Sequence, residues 1–299
     1  QLPAVVGASA PYQNTADMRT RGWELSVNWR DQIGKVGYRV GFNLSDSQSK
    51  IVKYNSNESG ILTSALSNGS TFWNYYEGKD LGEIWGYEYD GFYTVDDFTD
   101  TSSWKLKEGV PSIDGYNPRP GDVKFKNLKD DDRGTNMISS GDNTVSNPGD
   151  RKVIGNNTPR YLYGITLGAN FKGFDLNVFM QGTGKRDAWI ANNLKFPLYS
   201  DFKFIALYKD LGNYWKPVDA ANGDYTAANP NAEFPRIYGN YGNQGSNYRQ
   251  SDKYLSDASY FRIKNVTLSY TFPKAWITKA SLSQLKAFVS IENLATFSS

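Results

Sequence analysis

The chain contains no cysteine and no histidine. Without cysteine it has no disulfides, no thiolate nucleophile and no zinc–thiolate site. Without histidine it lacks the commonest general base and the commonest transition-metal ligand. Methionine is scarce, at 3 in 299 residues. An excess of one charge is missing too. Against 31 acidic residues stand 33 basic ones, a formal net charge of +2. No basic stripe of the kind a nucleic-acid binder shows is visible, so no nucleic-acid partner is expected. No run of about 18 apolar residues occurs, and hence no transmembrane helix. The opening QLPAVVGASAPYQN lacks the charged and apolar regions of a signal peptide. What is plentiful is aromatic: 21 Tyr, 16 Phe and 8 Trp. The mean hydropathy of -0.60 does not exclude a membrane, because spanning β-strands alternate and escape hydropathy averages.

Six segments carry a period-2 pattern. In TPRYLYGITLGANFKGFDLNVFMQ (158–181), Tyr163, Ile165, Leu167, Ala169 and Phe171 alternate with Gly164, Thr166, Gly168, Asn170 and Lys172. After Gly173, the residues Phe174, Leu176, Val178 and Met180 alternate with Asp175, Asn177, Phe179 and Gln181. The same pattern runs through Trp23–Trp29, Tyr38–Leu44, Val266–Phe272 and Leu285–Ile291, with Phe288 out of phase. Strands are therefore expected near 22–30, 36–46, 161–172, 174–182, 260–272 and 284–294. Such lengths suit tilted strands of about 9–11 residues crossing a bilayer. Glu24, Asn28, Arg30, Arg39, Asn43, Asp175, Asn177 and Gln181 would face a wet interior. Ile165, Leu167, Leu176 and Val178 would face lipid.

The connections alternate short, long, short, long, short, with the long ones at 53–160 and 183–258. That is the asymmetry of an outer-membrane barrel, with turns on one side and long extracellular loops on the other. A soluble antiparallel sandwich shares the alternation but rarely carries such loops. Six strands cannot close a barrel of at least about 8. Either further strands lie in 80–94 (LGEIWGYEYDGFYTV), or the chain is part of a longer protein that does not fold natively without its neighbours. The fold expected is an all-β, partial antiparallel transmembrane barrel.

The chain resembles the C-terminal barrel portion of the SusC/RagA-type TonB-dependent transporters of the Bacteroidetes outer membrane. The matching stretches, in family order, are APYQNTADMRTRGWELSVNW (10–29), LGEIWGYEYDGFY (81–93), PGDVKFKNLKDDD (120–132), DRKVIGNNTPRYLYGITLGANFKGFDLNVFMQG (150–182), NYWKP (213–217), FPRI (234–237) and the run from Ser259 through LKAFVSIENLATFS. The resemblance implies part of a roughly 22-stranded, plugged barrel. The plug, the first half of the barrel and the last strand are not seen in this sequence. It implies TonB-driven import of a glycan or oligopeptide, through a TonB complex engaged by the absent plug region. It also implies a SusD-like surface lipoprotein partner and an outer-membrane location in contact with lipid. The alternative is a soluble all-β glycan-binding or adhesion protein.

Candidate sites lie in two kinds of region. Loops rich in Tyr, Trp, Asn and Gly suit sugar faces or peptide backbone, and they offer Trp73, Tyr75, Tyr76, Trp215, Tyr238 and Tyr241 as substrate contacts. The same composition also arises in ordinary turns and in interfaces with a partner protein. The acidic stretch 120–151 offers Asp130, Asp131, Asp132, Asp142 and Asp150 as oxygen ligands for Ca²⁺ or Mg²⁺. Its departures from the family pattern, Asn127 and Lys129 among them, favour a solvated acidic loop partly paired with Lys129 and Arg133. No catalytic residue is expected: adjacent acids such as Asp96–Asp97 say nothing of the spacing that glycoside hydrolysis needs.

Overall fold

The computed structural model describes residues 14–65, 71–113, 115–130, 136–190, 209–238, 246–278 and 281–298. The chain folds as two compact units. One comprises Thr20–Gln48, Asn156–Ala188 and Ser256–Ser299, and the other Gln1–Arg19, Ser49–Gly155 and Trp189–Leu255.

The first unit is built on a six-stranded sheet whose strands lie side by side in chain order. They are β1 (Ala16–Ile33), β2 (Val36–Tyr54), β3 (Arg160–Phe171), β4 (Phe174–Lys185), β5 (Tyr260–Thr271) and β6 (Lys286–Ser298). All six periodic segments are strands, and β1 and β2 run well beyond the expected 22–30 and 36–46. Tight turns explain the short links. Between β3 and β4, Lys172 (φ 46°) and Gly173 (φ 91°) both take the positive φ that a two-residue hairpin matching the sheet twist requires.

Register turns the alternation of each strand into continuous rows. Val40 lies opposite Leu167, Leu167 opposite Val178, Val178 opposite Val266 and Val266 opposite Ile291. A neighbouring row reads Tyr38, Ala169, Leu176, Leu268 and Val289. The rows between them are polar: Arg39, Gly168, Asn177, Thr267 and Ser290 form one. One face of the sheet is thus apolar and the other polar across five strands. Lys264 is bulged out, since register slips between Ile263 and Asn265 against both neighbours.

The second unit is made of the two long connections. They contain short strands that pair among themselves: Glu83–Tyr87 with Arg151–Asn156, Tyr89–Phe92 with Val123–Phe125, and Thr63–Ala65 with Thr71–Trp73. The stretch 80–94 therefore does hold strands, but they belong to these local pairs and add nothing to the six-stranded sheet. Three small apolar cores hold the unit together. Tyr87, Ile113, Val123, Phe125 and Ile138 form one. Phe234, Tyr248 and Tyr254 form another, and Leu62, Tyr76 and Trp85 the third. The regions read as loops thus carry much of the buried aromatic content of the chain.

Candidate functional site

Two arrangements stand out: the polar face of the sheet, and a buried polar knot in the loop unit. On the sheet, glycines in β3 leave room for long polar side chains from β2. A Cβ at Gly164 would overlap Asn43, and one at Gly168 would overlap the Arg39 guanidinium. Arg39 can therefore lie across β3 and reach β4. Its Nη1 and Nη2 each donate to Asp175 at 3.2 Å, and Nη2 also donates to Asn177 Oδ1. Asn177 Nδ2 donates to Asp175 Oδ1 at 2.8 Å. Further along, Thr267 shares hydrogen bonds of 2.8 Å with Asn265 and with Ser290. Arg39, Asn43, Asp175 and Asn177, read from the alternation as interior-facing, are thus brought together on one face. Arg39, Asp175, Asn177, Asn265, Thr267 and Ser290 find their partners on that same face. Leu162, Phe179 and the 70% exposed Phe288 interrupt it with apolar side chains.

In the loop unit, the stretches PGD, YWKP and FPRI converge. Gly121, at φ 89°, lies so close beneath the Trp215 indole that a Cβ would overlap the ring. Its carbonyl accepts the Arg236 N–H at 2.9 Å, while Arg236 Nη1 donates to the Pro120 carbonyl at 3.2 Å. The Asp122 carboxylate is fully buried. It accepts the Arg119 N–H at 2.7 Å, the Tyr238 hydroxyl at 2.5 Å and Asn247 Nδ2 at 2.9 Å. Burial pushes its pKa above the ordinary carboxylate value, and the bonds from Tyr238 and Asn247 oppose that rise. The same burial, with Asp122 adjacent, pushes the Tyr238 phenol well above its usual range. Asn247 accepts the Val123 N–H at 2.8 Å and, through its carbonyl, the Tyr254 hydroxyl at 2.9 Å. The knot joins segments more than 120 residues apart.

The aromatic candidates separate by burial. Tyr75 is 45% exposed and meets Tyr54 edge-on at 6.2 Å. Trp73 is half-buried against the Tyr76 core, with Nε1 donating to Gln250 Oε1 at 3.2 Å. Tyr76 is only 4% exposed; its hydroxyl donates to Glu83, and Trp85 Nε1 donates to it at 3.0 Å. Trp215, 5% exposed, packs beneath Arg236 and over Gly121. Tyr76, Trp215 and Tyr238 are thereby parts of the loop unit's own framework, and of the five described candidates Tyr75 offers the open ring face. Tyr241 lies outside the described residues. Composition could not separate these roles, because framework and contact aromatics have the same residue types.

The described acidic candidates are not gathered. Asp150 is fully buried and accepts the N–H groups of Leu128 (2.6 Å), Lys129 (3.1 Å) and Ser139 (2.7 Å). Asp142 accepts the N–H and hydroxyl of Thr144, which hold its carboxyl below the usual range. Asp130 accepts from Asn127 Nδ2 and the Asn136 N–H. Among the described residues no group of three acidic, His or Cys side chains could hold a metal ion. Asp131 and Asp132 lie outside the described residues, so a Ca²⁺ or Mg²⁺ site here would need them.

Sequence reasoning passed over Asp122, Asn247 and Lys253. Asp122 sits in the quoted PGD stretch, but nothing in its spacing points to Asn247, 125 positions away. Lys253 places Nζ 4.3 Å from the Tyr89 ring centre and 4.6 Å from that of Phe92.

No family model matches the chain. It is 28% identical over 301 residues to TonB-dependent receptor P3 of Formosa agariphila, which covers 99% of the chain and 26% of that protein. TonB-dependent receptor P39 of the same organism is 22% identical over 307 residues, covering 99% and 28%. Among solved structures, the RagAB peptide importer in its closed-closed state matches with a TM-score of 0.60 at 20% identity, over 99% of this chain and 28% of that one. Its open-open state matches with a TM-score of 0.59 at 19% identity, over 99% and 27%. The chain spans about a quarter of the length of the relatives it matches. Those relatives are receptors and importers, not enzymes. Along nearly its whole length the chain is therefore similar to TonB-dependent receptors of a Bacteroidetes, with the antiparallel β fold of the corresponding part of RagAB, as its SusC/RagA-like stretches led us to expect.

Proposed function

We propose that the chain is a part of the barrel wall, with its extracellular loops, of a TonB-dependent nutrient importer in the outer membrane of a Bacteroidetes-like bacterium. The observation that carries this is the sheet: unbroken apolar rows on one face, a self-bonded polar network on the other. Lipid outside and water inside is the environment that such a pair of faces fits. The outer strands β1 and β6 are exposed along nearly their whole length. Bare edges of that kind are not viable in lipid, so further strands of the same barrel would cover them.

The likeness to RagAB supports a SusC-like role beside a SusD-like surface lipoprotein, with an oligopeptide or a glycan as cargo. Tyr75, with the half-buried Tyr54 edge-on beside it, suits either cargo or lid. Drive would come from TonB acting on a plug supplied elsewhere in the protein. The alternative, a soluble glycan-binding or adhesion protein, shares the aromatic loops but leaves the apolar rows without a purpose. Affinity purification from fractionated cells tests the proposal. We expect a species well above 33.6 kDa in the outer membrane, co-purifying with a lipoprotein. A soluble species near that mass would support the alternative.

A further inference from the structure

We propose that the turn end of the six-stranded sheet is a rim that binds the headgroups of anionic phospholipids; this rests on the membrane reading above. The three short connections, residues 34–35, 172–173 and 272–285, contain no acidic residue, and among the described residues they hold Lys35, Lys172 and Lys274. Lys35, Lys172 and Lys274 are exposed, and no ion pair holds any of them among the described residues. The nearby acid on β1, Asp31, accepts the Gln32 N–H at 2.7 Å and the Tyr38 hydroxyl at 3.4 Å.

Directly inside these lysines the apolar face ends in aromatic rings. Phe171 lies opposite Phe174, and Phe174 opposite Tyr270 with ring centres 4.6 Å apart. Tyr270 meets Phe272 edge-on at 5.0 Å, and Trp276 in the following helical turn is 64% exposed. The Lys172 ammonium sits 5.2 Å from the Phe171 ring centre. Rings at the boundary of the apolar face with unpaired ammonium groups just beyond match the cross-section of a leaflet, acyl chain first and phosphate next. The opposite end of the sheet is different. There charges of both signs occur: Arg160 pairs with Asp46, and Asp187 accepts the Asn156 N–H. The connections of the turn end carry lysines and no carboxylate, and the occupant that complements them is the phosphodiester of an anionic lipid such as phosphatidylglycerol.

Native mass spectrometry of the full-length protein in detergent, with phosphatidylglycerol or phosphatidylcholine added, tests this. We expect the wild type to retain phosphatidylglycerol in preference. In the triple variant Lys35→Gln, Lys172→Gln, Lys274→Gln, retention should fall by about fivefold per lysine. The control Lys185→Gln, Arg186→Gln at the other end should retain lipid as the wild type does. Heat-shift on gels shows that each variant is folded. Should the triple variant not fold, the wild type alone decides, because its preference should fade at high salt. No preference in the wild type, or equal loss in both variants, overturns the proposal while leaving the membrane reading intact. Recovery of the native protein from the soluble fraction would overturn both.

Discussion

Lys253 shows how a single side chain in the loop unit is balanced. The faces of Tyr89 and Phe92 favour its ammonium form. Burial opposes that more strongly, with Glu233 pulling the other way, and the pKa is drawn down to about 8. In the unfolded chain a lysine titrates near about 10.4. Between those values the unfolded state holds more protons than the folded one, so stability rises with pH across that window. We predict that the wild-type protein gains stability from about pH 8 to about pH 10 and that Lys253→Met flattens this part of the profile. Urea titrations at several pH values read it directly. Identical slopes in the two proteins would contradict the burial argument. Gly121 makes the complementary point: the PGD stretch is visible in the sequence, but its reason is an indole from Trp215, 94 positions on, pressed against the glycine.

At the scale of the element, the strands were legible because their period is simple. Leu167 sits in the centre of an apolar row five strands wide, with Val40 and Val178 on either side. Thr166, one position away, faces the polar side with Gly41 and Phe179 as neighbours. Leu167→Lys should therefore cost about 2–4 kcal/mol in membrane assembly, and Thr166→Lys far less. Heat-modifiable migration of the protein from outer-membrane fractions reads the difference. Equal tolerance of both changes would favour a soluble sheet. The strand ends were less legible than their centres. β2 runs on to Tyr54, where exposed alternation gives way to residues that pack in the loop unit, such as the buried Ile51. Backbone pairing, not side-chain period, decides where such a strand stops.

At the scale of the whole molecule, the long connections were the least legible part. Their strands are 2–6 residues long, too short to show a period, and their cores are built from aromatics drawn from distant positions. A Tyr in such a stretch looks the same whether it is framework, like Tyr76, or open surface, like Tyr75. The resemblance stretches marked these regions as specific without saying why, and the convergence on Asp122 supplies the reason. The candidate cation ligands illustrate the same limit: Asp150 is acidic in sequence, yet its carboxylate is already occupied by three backbone N–H groups.

The central claim is that the two faces of this sheet meet lipid and water. The chain itself has no cysteine, so single substitutions along β3 and β4 add one new labelling site each, read against the unsubstituted protein. Outer-membrane vesicles carrying Ile165→Cys, Thr166→Cys, Leu167→Cys, Asn177→Cys or Val178→Cys would be treated with a charged maleimide. We predict reaction at positions 166 and 177 and protection at 165, 167 and 178, with the protected set opened by detergent. Uniform labelling of all five positions before detergent is added would contradict the account.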